Sequence, residues 1–242
     1  METSISNSSG FPEKVLLKKV LLKKALLYCG ILSSLFYMVT DGLASWSYEG
    51  YCYTDQFYSE LLASGAPTRY PMLLSGFVYN LLVTAFAVGV WTSAGPERIK
   101  RITGAMMVGY AVFSMLTPMF FQMDMRADEI TPRGSLHGPM TAVMSMFILL
   151  SMGFGAFLLG RRFRLYSFAT IVIVIFFGVL TSLQIPRLVA GLPTPWMGIT
   201  ERINIYSTMI WFAVLAIGFL RSEKDQGLTG ATNPDQCQTG KI

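Results

Sequence analysis

Residues 120–143 read FFQMDMRADEITPRGSLHGPMTAV and hold Asp124 and His137, the one histidine of the chain. A neutral imidazole beside a carboxylate can take a proton as a general base or bind a metal, which makes this pair the first candidate for catalysis. A catalytic zinc normally has three protein ligands and one open position, and a single histidine is a poor start on such a set. The carboxylates Asp41, Glu60, Asp124 and Glu201 suit Ca²⁺ or Mg²⁺ better. Nothing in their spacing demands an ion, and neither a metal nor another cofactor is expected. Three roles stay open for Asp124 and His137: a hydrogen bond tying a loop to the fold, contact with a ligand, and proton transfer.

The stretch lies between two apolar runs, and the whole chain shares that character. Its 242 residues are 52% hydrophobic and 14% charged, with mean hydropathy +0.49, whereas about a quarter of the residues in a soluble domain are charged. About 20 apolar residues cross the roughly 30 Å hydrocarbon core. Six such windows can be read, at about 25–46, 71–93, 104–122, 139–159, 166–185 and 204–220. The expected fold is an all-α integral membrane protein, a six-transmembrane-helix bundle. Residues 1–24 form a basic cytoplasmic segment, 25–220 the transmembrane domain, and 221–242 a polar, disordered cytoplasmic tail. The run at 25–46 lacks an A-x-A cleavage pattern and is expected to remain as the first helix.

Basic residues orient the bundle, because cytoplasmic flanks carry excess Lys and Arg. With the N-terminus inside, the inner segments hold 14 of the 19 basic residues and the outer segments 5, which puts both termini in the cytoplasm of a multi-pass cell-membrane protein. The net charge of +5 is thereby divided among membrane flanks, and nucleic acid is not an expected partner. The repeat KVLLKKVLLKKALL at 14–27 has a five-residue period that makes no clean helical face; it reads as a topology anchor or as a patch for anionic lipids.

The expected outer side differs in kind. Its first loop carries four tyrosines from Tyr48 to Tyr58, plus Tyr70, and a short helix within DQFYSELLAS closed by Gly65 and Pro67. It reads as an interfacial aromatic belt or as a lid over a cavity. Glu60 with Arg69, and Glu201 with Arg202, are expected outer ion pairs. Inside the spans, Asp41 is expected to reach the interface, while Asn80 and Gln184 join helices through hydrogen bonds. Met140 and Met144, at i and i+4, suit either core packing or an adaptable lipid pocket. Gly153, Gly155 and Ala156 invite a neighbouring helix to approach. Of Cys29, Cys52 and Cys237 only Cys52 is expected to face an oxidising space, so no intrachain disulfide is expected.

Three blocks, QFYSELLASGAPTRYPML, FFQMDMR followed by SLHGPMTAV, and GITERINIYSTMIW, resemble the bacterial membrane proteins of the domain of unknown function 998 family, more distantly similar to six-helix proteins of the DRAM type. The resemblance runs from helix one to helix six and implies a six-helix bundle. Family members often read Phe-Pro-x-Asp before the third outer loop. Here the sequence is Phe121, Gln122, Met123, Asp124, with a proline earlier at Pro118.

These readings converge on an outward-facing polar cluster of Glu60, Arg69, Asp124, Arg126, His137, Glu201 and Arg202 that binds a lipid or another amphiphile, with membrane lipids as partners. An enzyme doing acid–base chemistry on a lipid-like substrate through Asp124 and His137 is one alternative. A small transporter is another, although no inverted repeat or pair of broken helices is visible.

Overall fold

The structure, a computed structural model, describes residues 10–93, 98–126 and 128–231. The first nine residues of the basic segment and the end of the tail, with Cys237, lie outside the described residues. Among the described residues seven α-helices follow one another: α1 (Gly10–Ser47), α2 (Arg69–Thr92), α3 (Arg98–Phe120), α4 (Pro132–Gly155), α5 (Gly160–Ser182), the single-turn α6 (Ile185–Val189) and α7 (Met197–Ala231). All but α6 are long and apolar enough to cross a membrane, α5 and α6 counting as one span. The chain is a multi-pass membrane protein, a six-helix bundle.

The helices begin earlier than apolar windows suggest. Helices α4 and α7 start at Pro132 and Met197, where the hydropathy pattern places them at about 139 and 204. A window of apolar residues cannot see a polar first turn, and α4 opens with the local signals that stabilise one: Thr131 accepts a hydrogen bond from the Gly134 N–H at 3.0 Å, and Pro132 occupies the first turn. Pro139, at the start of the apolar window, sits inside the helix. The basic flanks at Arg98 and Arg161 are likewise already helical.

Neighbouring helices pack in the order α4, α3, α2, α1, α7, α5, and the ring closes weakly, since α4 and α5 meet over a much shorter length than any other adjacent pair. Apolar side chains gain little by leaving lipid for protein, so close approach and interhelical hydrogen bonds hold such a bundle. Both are present. A Cβ on Gly155 would lie 2.8 Å from the Trp211 ring, and one on Gly104 would lie 3.0 Å from the Ala87 carbonyl oxygen. Gly153 faces open space instead. The Ser34 hydroxyl donates to the Met209 carbonyl at 2.7 Å, the Trp211 indole N–H to Ser167 at 2.9 Å, and the Tyr79 and Tyr110 hydroxyls pair at 2.9 Å.

Helix α7 therefore anchors both α1 and α5. The loops 48–68, 121–131 and 183–196 gather at one end of the bundle, here termed the capped end.

Candidate functional site

The capped end is organised by two arginine–carboxylate pairs, one buried and one partly exposed, and neither is the pair that sequence proximity suggests. Arg202 lies one turn into α7 and reaches Asp41 on α1: Nε donates to Oδ2 and Nη2 to Oδ1, each at 2.9 Å, with the two side chains 3% and 0% exposed. The remaining donors of the guanidinium hold the first loop. Nη1 bonds the carbonyls of Tyr53 at 3.0 Å and Gln56 at 3.2 Å, and Nη2 reaches the Tyr51 hydroxyl at 2.8 Å. The Tyr53 ring stacks with its centroid 3.8 Å from the guanidinium carbon, a geometry that planar arginine favours. Tyr206 donates a further hydrogen bond to Asp41 at 2.5 Å.

Asp41 thus does not reach the protein surface but is fully buried. A lone carboxylate at that depth would be costly, and here it is neutralised in place. Gly198 makes the approach possible, since a Cβ there would run into the Tyr53 and Gln56 carbonyl oxygens.

The second pair joins two loops. Arg126 clamps Glu60 in a two-point geometry, Nε to Oε2 at 2.7 Å and Nη2 to Oε1 at 2.8 Å, and also bonds the Asp55 carbonyl at 2.9 Å. Glu60 further accepts from the Phe57 N–H at 2.8 Å, at the start of a 3-10 turn over Tyr58–Leu62 that stands where the sequence suggests a short helix. Arg69 caps the Leu62 carbonyl at 2.7 Å and does not pair with Glu60. Glu201 does not pair with Arg202; its carboxylate accepts hydrogen bonds from the Tyr58 N–H and, at 3.2 Å, the Ser59 hydroxyl. Asp55 accepts the Trp196 N–H at 3.0 Å, which holds its carboxyl below the ordinary aspartate value and ties the first loop to the left-handed turn at Trp196, φ 65°.

Asp124 and His137 both stand at the capped end without a hydrogen bond to each other. Each has its own task. Asp124 accepts from the Thr131 N–H at 2.8 Å and the Thr131 hydroxyl at 3.0 Å, bracing the residue that caps α4, and Gly134 leaves the room this carboxylate occupies. His137 bonds the Phe121 carbonyl through Nδ1 at 2.8 Å, joining α4 to the end of α3. Because a carbonyl only accepts, Nδ1 carries the proton, and in the neutral ring Nε2 is left as an acceptor. The arrangement contains no acid–base dyad between these two residues.

Two adjoining cavities lie beneath the loops. The inner one, about 260 Å³, is lined by α1, α2, α3, α4 and α7 and the 3-10 turn. The outer one, about 550 Å³, occupies the gap between α4 and α5 under α6 and the 121–131 loop. They share one wall: Ser59, His137, Thr141, Ser145, Glu201 and Asn204. Beyond it the inner cavity is lined by apolar side chains such as Phe77, Met115, Met144 and Ile148, with Tyr37, Tyr58 and Tyr110 around one side. Tyr37 stacks on Tyr58 with centroids 4.9 Å apart, so the tyrosine-rich loop contributes to the cavity as well as to the surface, where Trp46 and Tyr70 are exposed.

Asn80, expected to join helices, instead donates to the Gly76 carbonyl of its own helix at 2.9 Å. Asn204 is the residue that joins helices, donating to the Val174 carbonyl of α5 at 2.8 Å, with Gly178 giving it room. Its sequence signal, an amide within the last span, was as visible as that of Asn80. Of the seven candidate binding residues, His137 and Glu201 line both cavities and Asp124 and Arg126 line the outer one, while Glu60, Arg69 and Arg202 line neither.

No curated protein and no solved structure matches the chain. A family model does: the one described as protein of unknown function (DUF998) matches residues 31–218. That span begins within α1, ends within α7 and includes both arginine pairs and the cavity wall, and on it the chain belongs to the DUF998 family of membrane proteins.

Proposed function

We propose that the protein binds an amphiphile in the paired cavities, with the polar head at the Glu201–His137 wall and the apolar chain directed towards the gap between α4 and α5. The observation that carries this reading is the shared wall: a polar partition between two cavities, one of which fills the least closed seam of the bundle. A polar cluster facing an apolar volume is what a head-and-tail ligand requires. The basic-residue asymmetry supports an outward-facing capped end, and with it a ligand from the outer leaflet or the outer aqueous phase. Binding alone accounts for the residues of the wall, and no chemical step is needed.

Native mass spectrometry on protein extracted in mild detergent tests the reading. Retention of an amphiphile of defined mass, lost when Ser145→Trp fills the shared wall while the thermal transition is kept, is the expected result. Release of only the bulk lipid mixture, unchanged by Ser145→Trp, would overturn it.

A further inference from the structure

Resting on that reading, we infer that the head group bound at the shared wall is a protonated amine rather than an anionic group such as a phosphate or carboxylate. Among the described residues, the inner cavity has no lysine or arginine in its lining. It has one carboxylate, Glu201, and that carboxylate differs in its partners from Asp41 and Glu60. Asp41 and Glu60 are each neutralised by a two-point arginine, whereas Glu201 receives only neutral donors, the Tyr58 N–H and the Ser59 hydroxyl.

Two more groups have the same polarity. Asn80 is 4% exposed and lines the cavity, and its Oδ1 has no hydrogen-bond donor. A buried, unpaired amide oxygen is uncommon because leaving it unpaired costs free energy. With Nδ1–H committed to the Phe121 carbonyl, the neutral ring of His137, which lines both cavities, keeps Nε2 as an acceptor. The hydroxyls of Ser59, Thr141 and Ser145 can donate or accept and do not discriminate.

The lining thus offers a carboxylate, an amide oxygen and an imidazole nitrogen as acceptors, and an ammonium brings donors with a compensating charge. An anionic head would face Glu201 with no cation of the inner cavity to offset it. Arg126, the basic residue of the outer cavity, is already held by Glu60. The methionines and Phe77 then accommodate an alkyl chain without specifying its length.

Photoreactive dodecyl probes bearing a chain diazirine and ending in a primary amine, a hydroxyl or a carboxylate separate the possibilities, applied to the full chain in phosphatidylcholine nanodiscs with cross-links mapped by mass spectrometry. The expected result is saturable labelling of cavity-lining residues by the amine, about tenfold or more stronger than by the carboxylate. Glu201→Gln should lower amine labelling by about tenfold while hydroxyl labelling changes little, the scale of one charge-assisted hydrogen bond. Because both probes are read on the same variant, a folding defect would depress them together. Asn80→Leu is the second variant and should show a smaller change in the same direction. Equal cavity labelling by all three heads, preference for the carboxylate, or an unchanged amine-to-hydroxyl ratio in Glu201→Gln would overturn the amine assignment and leave amphiphile binding standing. Absence of cavity labelling by any probe would overturn both.

Discussion

Arg202 and Asp41 are 161 positions apart and form a two-point ion pair at 2.9 Å inside the bundle, with the arginine also holding the backbone of the first loop. One side chain therefore fastens α1, α7 and the cap over the cavities. Removing one member of such a pair leaves the other charged and unpaired, typically at 3–5 kcal/mol, whereas replacing both with apolar residues is far milder. Arg202→Met should cost about 3–5 kcal/mol in chemical unfolding in detergent. Asp41→Leu combined with Arg202→Met should recover part of this, and not all, because the Tyr53 and Gln56 carbonyls still lose their donor. A double variant no more stable than Arg202→Met would show that the loop contacts, and not the ion pair, carry the effect.

Glu60 and Arg126 fasten the first loop to the 121–131 loop. Arg126 is the more exposed partner, with its side chain 25% accessible against 4% for Glu60, so solvent screens part of the loss. Arg126→Met should cost about 1–3 kcal/mol and should speed backbone hydrogen exchange in residues 55–66 while leaving the middle of α2 unchanged. Exchange accelerated evenly through the bundle would argue against a local latch.

His137 separates two roles by substitution. Asn at 137 can still donate to the Phe121 carbonyl, so His137→Asn should cost less than about 1 kcal/mol, while His137→Leu leaves that carbonyl without a donor and should cost about 1–3 kcal/mol. Thermal unfolding of both variants in one detergent decides it. Equal loss in the two would mean that the ring's packing, not its hydrogen bond, joins α4 to α3.

The orientation has its own test. Cys52 is exposed in the first loop and should react in intact cells with a membrane-impermeant thiol reagent. A cysteine introduced as Ser93→Cys, at the end of α2, should react only after permeabilisation, given the positive-inside bias. Labelling of Ser93→Cys from outside would invert the topology and place the capped end in the cytoplasm.

The six spans were legible because crossing a membrane is a one-dimensional demand: about 20 apolar residues in a row satisfy it, whatever they later touch. Hydropathy also framed the capped end, since loops must lie between spans, and it drew attention to Glu60, Asp124, His137 and Glu201. The first turns of α4 and α7 escaped because they are polar, although Thr131 followed by Pro132 was a readable helix start.

What the tertiary structure alone decided was pairing. Neighbours in sequence suggested Glu60 with Arg69, Glu201 with Arg202, and Asp124 with His137. The fold instead gave Arg126 to Glu60 and Asp41 to Arg202, set Asp124 against Thr131 and His137 against Phe121, and left Glu201 facing a cavity without a cation. The physical reason is geometric. Adjacent residues on a helix point about 100° apart, so Glu201 and Arg202 must face different neighbours. Which neighbours they meet depends on the rotation and order of six helices, fixed by contacts such as Gly155 on Trp211 and Ser34 on Met209, and no local pattern in the chain encodes those.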